Sequence, residues 1–155
     1  MSHEPYANSI AHLLDEIQWL HSRARRIVVQ QEIQDERDPT RVGLRAHHVG
    51  QTRETREAEL TRRLAVLADK EISLRAQVDG RLAVSSQDLG LVRVRRENGL
   101  DPVEVMALLL AVCPCLGRMG MDPLGGVAPA LGSYITVDAV FTVAEAPMLE
   151  RFDVL

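Results

Sequence analysis

Residues 98–114 read Asn-Gly-Leu-Asp-Pro-Val-Glu-Val-Met-Ala-Leu-Leu-Leu-Ala-Val-Cys-Pro, and they hold a helix stop, a helix start and the densest apolar run of the chain. Asn98-Gly99 signals a helix end, because glycine enters the left-handed region without a Cβ clash. Asp101-Pro102-Val103-Glu104 opens the next helix. Asp101 can accept from a free first-turn N–H, Pro102 fits the first helical position, and Glu104 can reach back as in a capping box. From Val103 to Cys113 only Glu104 is polar, so the pattern predicts a core helix with no wet face beyond its first turn. Pro114 is expected to end it, because the residue before a proline disfavours helical angles. Gly99, Leu100, Asp101, Pro102, Glu104, Leu108, Leu109 and Leu110 are therefore the expected structural motif.

Working outward, the composition bounds the fold. In 155 residues, 46% are apolar but only 3% aromatic, so the core must be built from Leu, Val, Ala and Met. That suits helix packing better than a sandwich or a barrel. A net charge of -4 argues against a general nucleic-acid binder, since neutralising phosphates requires a basic surface. The start, MSHEPYANS, has neither a basic region nor an apolar core of a secretory signal. No apolar run approaches the roughly 20 residues that span a bilayer, and a cytoplasmic protein without membrane attachment is the expectation.

Residues 8–34 predict an amphipathic helix with Ile10, Leu13, Leu14, Ile17, Leu20, Ala24, Ile27 and Val28 on one face. Asn8 or Ser9 caps it. Asp15, Glu16, Arg23, Arg26 and Glu32 fall on the opposite, solvent face, and Trp19 lies beside the stripe. Residues 35–52 form a polar connector with the Asp38-Pro39 step and the pair His47-His48. A second helix is predicted over 53–84, with Leu60, Leu64, Leu67, Leu74, Val78 and Leu82 on a seam that Glu71 interrupts. Residues 1–84 thus read as a helical hairpin or extension. Trp19 and the seam at Leu60, Leu64 and Leu67 are the expected partner contacts, and self-assembly through that seam is a second expectation.

Residues 85–155 read as a compact helical domain. Ser85-Ser86 is expected to open a helix to about Glu97, with Asp88 in its first turn and Leu89, Val92 and either Val94 or Leu91 inward. After Pro114 the stretch LGRMGMDPLGGVAPALGS is too rich in Gly and Pro for long regular structure, with at most a short turn near 124–131. Residues 133–145 are open between two readings. Their β-branched residues favour a strand, whereas Thr136 can cap a helix with Val140, Val143 and Ala144 inward.

Catalytic motifs are missing. The only lysine, Lys70, sits between Asp69 and Glu71 with no glycine-rich loop, so the chain has no phosphate loop. Cys113 and Cys115 are spaced too tightly for a zinc knuckle and read as structural thiols. The adjacent His47-His48 point apart with no carboxylate or Cys at i+3 or i+4, His21 stands away from a second ligand, and with His3 and His12 they read as solvated. Neither a Gly-x-Ser-x-Gly elbow nor a His-Glu-x-x-His pair occurs. Met106, Met119, Met121 and Met148, with Leu124, fill an aromatic-poor core on one reading and form an adaptable binding surface on another. The expectation is a non-enzyme with no cofactor and no metal.

Residues 98–116 carry a resemblance. Gly99-Leu100-Asp101-Pro102 with Glu104, followed by Leu108-Leu109-Leu110-Ala111 and Pro114, resembles a pattern found N-terminal to the ATPase module of large bacterial AAA+ ATPases that are encoded with extracellular contractile injection systems. Cys115 departs from it, since an acidic residue commonly follows the proline. Tyr134 to Val140 is similar to a later helix start of that region, without its proline. The resemblance implies a helical domain with a winged-helix-like subdomain and a small β wing, and it tilts 133–145 toward helix. It also implies protein partners, an ATPase ring or an injection-system component among them. Two competing expectations come from other classes. One is a winged-helix DNA-binding regulator using Arg93, Arg95 and Arg96, and the other a thiol enzyme using Cys113 or Cys115.

Overall fold

A computed structural model describes residues 3–38, 52–86, 88–117, 140 and 143–145. It contains four helices in chain order: α1 (Ser9–Arg37), α2 (Arg53–Val84), α3 (Gly90–Asn98) and α4 (Pro102–Gly117). No strand occurs among the described residues, so the fold is mainly α, as the aromatic-poor composition predicts. The His47-His48 pair, Met119, Met121, Met148, the turn near 124–131 and the Tyr134–Ala139 stretch lie outside the described residues.

Caps define the two long helices. Asn8 Oδ1 accepts from Ala11 N at 2.9 Å, and Thr52 Oγ1 accepts from Thr55 N at 3.3 Å. The α2 limits match the predicted 53–84, while α1 continues past the predicted residue 34 to Arg37. Within the hairpin the two helices are antiparallel. Asp15 pairs with Arg81, Glu16 with Arg75, Arg23 and Arg26 with Glu71, and Arg37 with Glu57, each step forward along α1 meeting a step back along α2. This corrects the solvent face assigned to α1. Glu16 is buried, and Arg23 and Arg26 are largely covered. The reason lies in α2, whose buried residues are only Leu60, Glu71 and Val78. A seam so poor in buried apolar groups leaves space that paired charges fill, and their pairing fixes the register.

The apolar core has two parts. In the main one, Ile17, Leu20 and Ala24 of α1 meet Met106, Leu109, Leu110 and Cys113 of α4, together with Val143. A smaller one joins Val29 and Ile33 to Leu60, with Leu64 and Leu67 packed against it. Helix α1 packs against each of the other three, so it takes the central place expected of α4. Helix α4 is not buried all round: it contacts α1 with one stripe, leaving Leu108 half-buried and Ala111 exposed. Ile10 was expected on the α1 stripe but is 68% exposed, and Tyr6 from the preceding extended segment is buried instead. Val140, Val143 and Ala144, the described residues of the ambiguous last stretch before Glu145, are helical, and all three pack on the main core.

The α3–α4 junction forms as predicted. Gly99 has φ +66°, in the left-handed region, and Leu100 N donates to Arg95 O at 3.0 Å. Glu104 N donates to Asp101 Oδ1, and Asp101 N donates to Glu104 Oε2, both at 2.8 Å, closing the capping box. Asp101→Ala removes one side of it and is expected to cost about 1 kcal/mol. In thermal denaturation that corresponds to a fall of ~3 °C, and Pro102 at the first helical position keeps the helix start in place.

Two boundaries differ from expectation. Ser85 closes α2 rather than opening α3: its hydroxyl donates to Arg81 O at 2.7 Å and accepts from Tyr6 N at 2.8 Å. Helix α3 starts only at Gly90 and has no side-chain cap, so Asp88 lies ahead of it. Leu89 is buried and Leu91 half-buried on the core, whereas Val92 and Val94 are exposed. Pro114 lies inside α4, which continues to Gly117. So near the helix end, the proline forfeits a single backbone bond, a cost that packing of the upstream stripe offsets.

Candidate interaction groove

The four helices enclose a groove of about 310 Å³. Its polar lining comes from α1 and α2, with His12, Glu16 and Trp19 on the first and Arg75 and Asp79 on the second. Its apolar lining is Leu82 of α2, Leu91 and Val92 of α3, and Pro102, Val105, Met106 and Leu109 of α4. Arg95 of α3 stands on the wall as well, exposed. The capped turn at Gly99–Asp101 contributes to this shape, because it redirects the chain from α3 into α4.

In the polar lining Arg75 grips Glu16 with both terminal nitrogens, at 2.8 and 3.2 Å, and reaches Asp79 at 2.7 Å. Its guanidinium lies 5.1 Å from the Trp19 ring centre, and that of Arg23 lies 5.7 Å away. Such contacts hold the indole in one orientation. His12 is fully buried 4.9 Å from the Tyr6 ring, and its Nε2 lies 3.4 Å from Glu16 Oε1. That contact is outside good hydrogen-bond geometry, and neither ring nitrogen has another partner.

Burial alone would raise the Glu16 carboxyl. The contacts with His12 and Arg75 outweigh it and hold the group below its ordinary 4.5. A carboxylate with a lowered native pKa contributes stability above its unfolded value and loses it as pH falls through the native one. Urea midpoints taken from neutral pH down to about 3 are expected to fall more gently for Glu16→Gln than for the parent chain.

Beyond the groove, Glu71 joins three segments. Its Oε1 accepts from Arg23 Nη1 at 2.9 Å and its Oε2 from Arg26 Nε at 2.6 Å. Both arginines also pair with Glu145, and Arg23 donates to the carbonyls of Val143 and Ala144 at 2.6 and 3.1 Å. Residues 143–145, where Glu145 takes φ +54°, are thereby fastened to the hairpin.

Trp19 lines the groove, as do Pro102 and Leu109. Leu60, Leu64 and Leu67 do not: Leu60 is buried inside the hairpin and the other two are half-buried against it, so that part of the seam is used within the chain. Gly99, Leu100, Asp101, Glu104, Leu108 and Leu110 shape or support α4 without lining the groove. Sequence reading did not single out His12, Glu16 and Arg75 for a groove, and it named Arg95 only as a DNA contact. The i,i+4 pairs His12–Glu16 and Arg75–Asp79 were the traces they left along the chain.

No cysteine, serine or lysine lines the groove. Cys113 lies in the core, where burial pushes its thiol up to about 11. Because the thiolate is the reactive form, native protein at neutral pH is expected to alkylate at Cys113 far more slowly than denatured protein, as peptide mapping would show. Among the described residues no group of acidic, His or Cys side chains is arranged to hold a metal ion. No helix described is long and apolar enough to cross a membrane.

A family model described as winged helix domain, variant, matches residues 1–153. No curated protein and no solved structure matches the chain.

Proposed function

Because the chain belongs to the family described as winged helix domain, variant, we propose that it is a non-catalytic interaction domain whose four-helix groove docks a protein partner. The observation that carries this reading is the groove, whose lining is mostly apolar with a few charged groups, and whose Glu16 and Asp79 carboxylates are engaged by Arg75. We further propose that the partner is an ATPase ring or another component of a contractile injection system. The resemblance of residues 98–116 to the region ahead of such an ATPase supports that choice.

A second reading, a DNA-binding regulator, is favoured by Arg93, Arg95 and Arg96, all exposed on α3. Two features weigh against it. Helices α3 and α4 are joined by a short turn as in a helix-turn-helix, where the second helix reads base edges. Here the second helix is α4, whose one charged residue is Glu104, and reading bases needs donors that it lacks. The net charge of -4 opposes phosphate binding as well.

The sole tryptophan, Trp19, reports on the groove directly. The test mixes the purified chain with ATPase and tail components from its gene neighbourhood and follows mass by light scattering and Trp19 emission together. A stable complex with changed emission supports the docking reading, whereas a chain that binds none of them overturns it. A mobility shift with duplex DNA that survives physiological salt would favour the regulator instead.

A further inference from the structure

The groove's charges and walls indicate the kind of partner segment it fits. All of its walls are helices, and no strand among the described residues offers an edge to which an extended peptide could pair. The apolar lining presents Leu82, Leu91, Val105 and Met106, which cannot satisfy a peptide backbone. An extended segment there would bury unpaired N–H and C=O groups, whereas a helix satisfies its own. The occupant is therefore helical, with an apolar stripe toward the floor.

Its charge follows from which groups are already neutralised. Arg75 is taken by Glu16 and Asp79. Arg95 pairs with no acidic residue among those described, although it stands on the wall. Beside it, Arg93 and Arg96 share the single carboxylate of Asp88, each at 3.5 Å, and all three side chains are more than half exposed. Glu97 is the only acidic residue within α3. So α3 is a cationic edge on a chain of net charge -4, flanked by Val92 and Val94, which are 38% and 36% exposed.

We propose that the groove binds an acidic amphipathic helix of a protein partner, with its apolar face on α4 and Leu82 and its carboxylates on Arg95 and the neighbouring arginines of α3. This rests on the protein-docking reading and adds the chemistry of the partner.

Two synthetic helical peptides test it with the full chain. They share one leucine stripe at i, i+3, i+4 and i+7, and carry either Glu or Lys at the flanking positions. Binding is followed by Trp19 emission and calorimetry. The Glu peptide is expected to bind at least about tenfold more tightly and to change Trp19 emission. Arg95→Glu, at an exposed site that circular dichroism can show to be folded, is expected to erase or reverse the preference. Equal affinity for both peptides, or a preference that Arg95→Glu leaves unchanged, overturns the proposal, as does duplex DNA displacing the Glu peptide at physiological salt. If an injection-system component binds the chain but neither competes with the Glu peptide nor responds to Arg95→Glu, the acidic-helix inference fails while the docking reading stands. If neither peptides nor components bind, both fail.

Discussion

Glu71→Ala is expected to destabilise the protein by about 3 kcal/mol, far more than its position on a surface-like helix would suggest. The Glu71 side chain is 12% exposed, and its two oxygens serve two arginines that are covered almost as well, at 17% for Arg23 and 15% for Arg26. Removing the carboxylate leaves both guanidinium groups in a desolvated place with Glu145 as their remaining carboxylate. That penalty, rather than the loss of an attraction, accounts for most of the effect. Glu145→Ala makes a useful contrast. Its side chain is 41% exposed, so water replaces it readily and the cost is expected to be about 0.5–1 kcal/mol. Because both carboxylates bind the same arginines, the double variant should lose more than the two single losses together, and a double-mutant cycle from urea denaturation measures the excess. Salt should weaken the Glu145 contribution more than that of Glu71, since an exposed pair is screened and a buried one is not. Additive losses would mean that the two acids act separately and that residues 143–145 are held by the packing of Val143 and Ala144 alone.

The contrast between those acids also shows what could be read from the chain and what could not. Signals confined to one turn were legible. Asn98-Gly99 ends a helix, Asp101 and Glu104 close a capping box, and Asn8 opens α1, because each works through a neighbour three or four residues away. The helical period also identified Ile17, Leu20 and Ala24 as inward, whereas the unbroken apolar run of α4 could not separate Leu109 and Leu110 from Leu108. Charges were a different matter. Arg23 and Arg26 occupy a polar face whether water or Glu71 covers it, and periodicity cannot separate the two cases. Only the packing of α2, with its scarcity of buried apolar residues, decides it. The same holds for Glu16 and Arg75, which lie 59 residues apart and come together across the hairpin. Ser85 was misassigned for a related reason: a serine between two helices can close the first or open the second, and contact with Tyr6 at the far end of the chain settles it. Within the groove, Trp19 stood out because it is unique and Arg95 only as part of an arginine cluster, whereas His12 and Arg75 did not, since a groove assembled from four helices has no linear signature.

Leu110→Ala is expected to cost about 3–4 kcal/mol, the largest loss for any single residue of α4. Leu110 is 0% exposed and belongs to the cluster that joins Ile17, Leu20 and Ala24 of α1 to Val143 near the other end of the chain. Truncation removes the transfer energy of its side chain and leaves a cavity bounded by elements that cannot all move inward together. With total stabilities of about 5–15 kcal/mol for a domain, that is a large fraction, and it should appear as a fall of roughly 10 °C in thermal midpoint. Leu108→Ala is the control: the same chemistry at a half-buried position two residues away, expected to cost about 1 kcal/mol because water already covers part of the side chain. The pair tests the finding that α4 is buried along one stripe rather than all round, since a fully buried helix would make the two losses equal. Trp19 packs against the same cluster, so its emission and helical circular dichroism should fall together in the Leu110→Ala protein. Coincident transitions would mean that the hairpin and α4 unfold as one cooperative body. That cooperativity matters for the groove, which draws its walls from all four helices and exists only while α1 holds α4 in place.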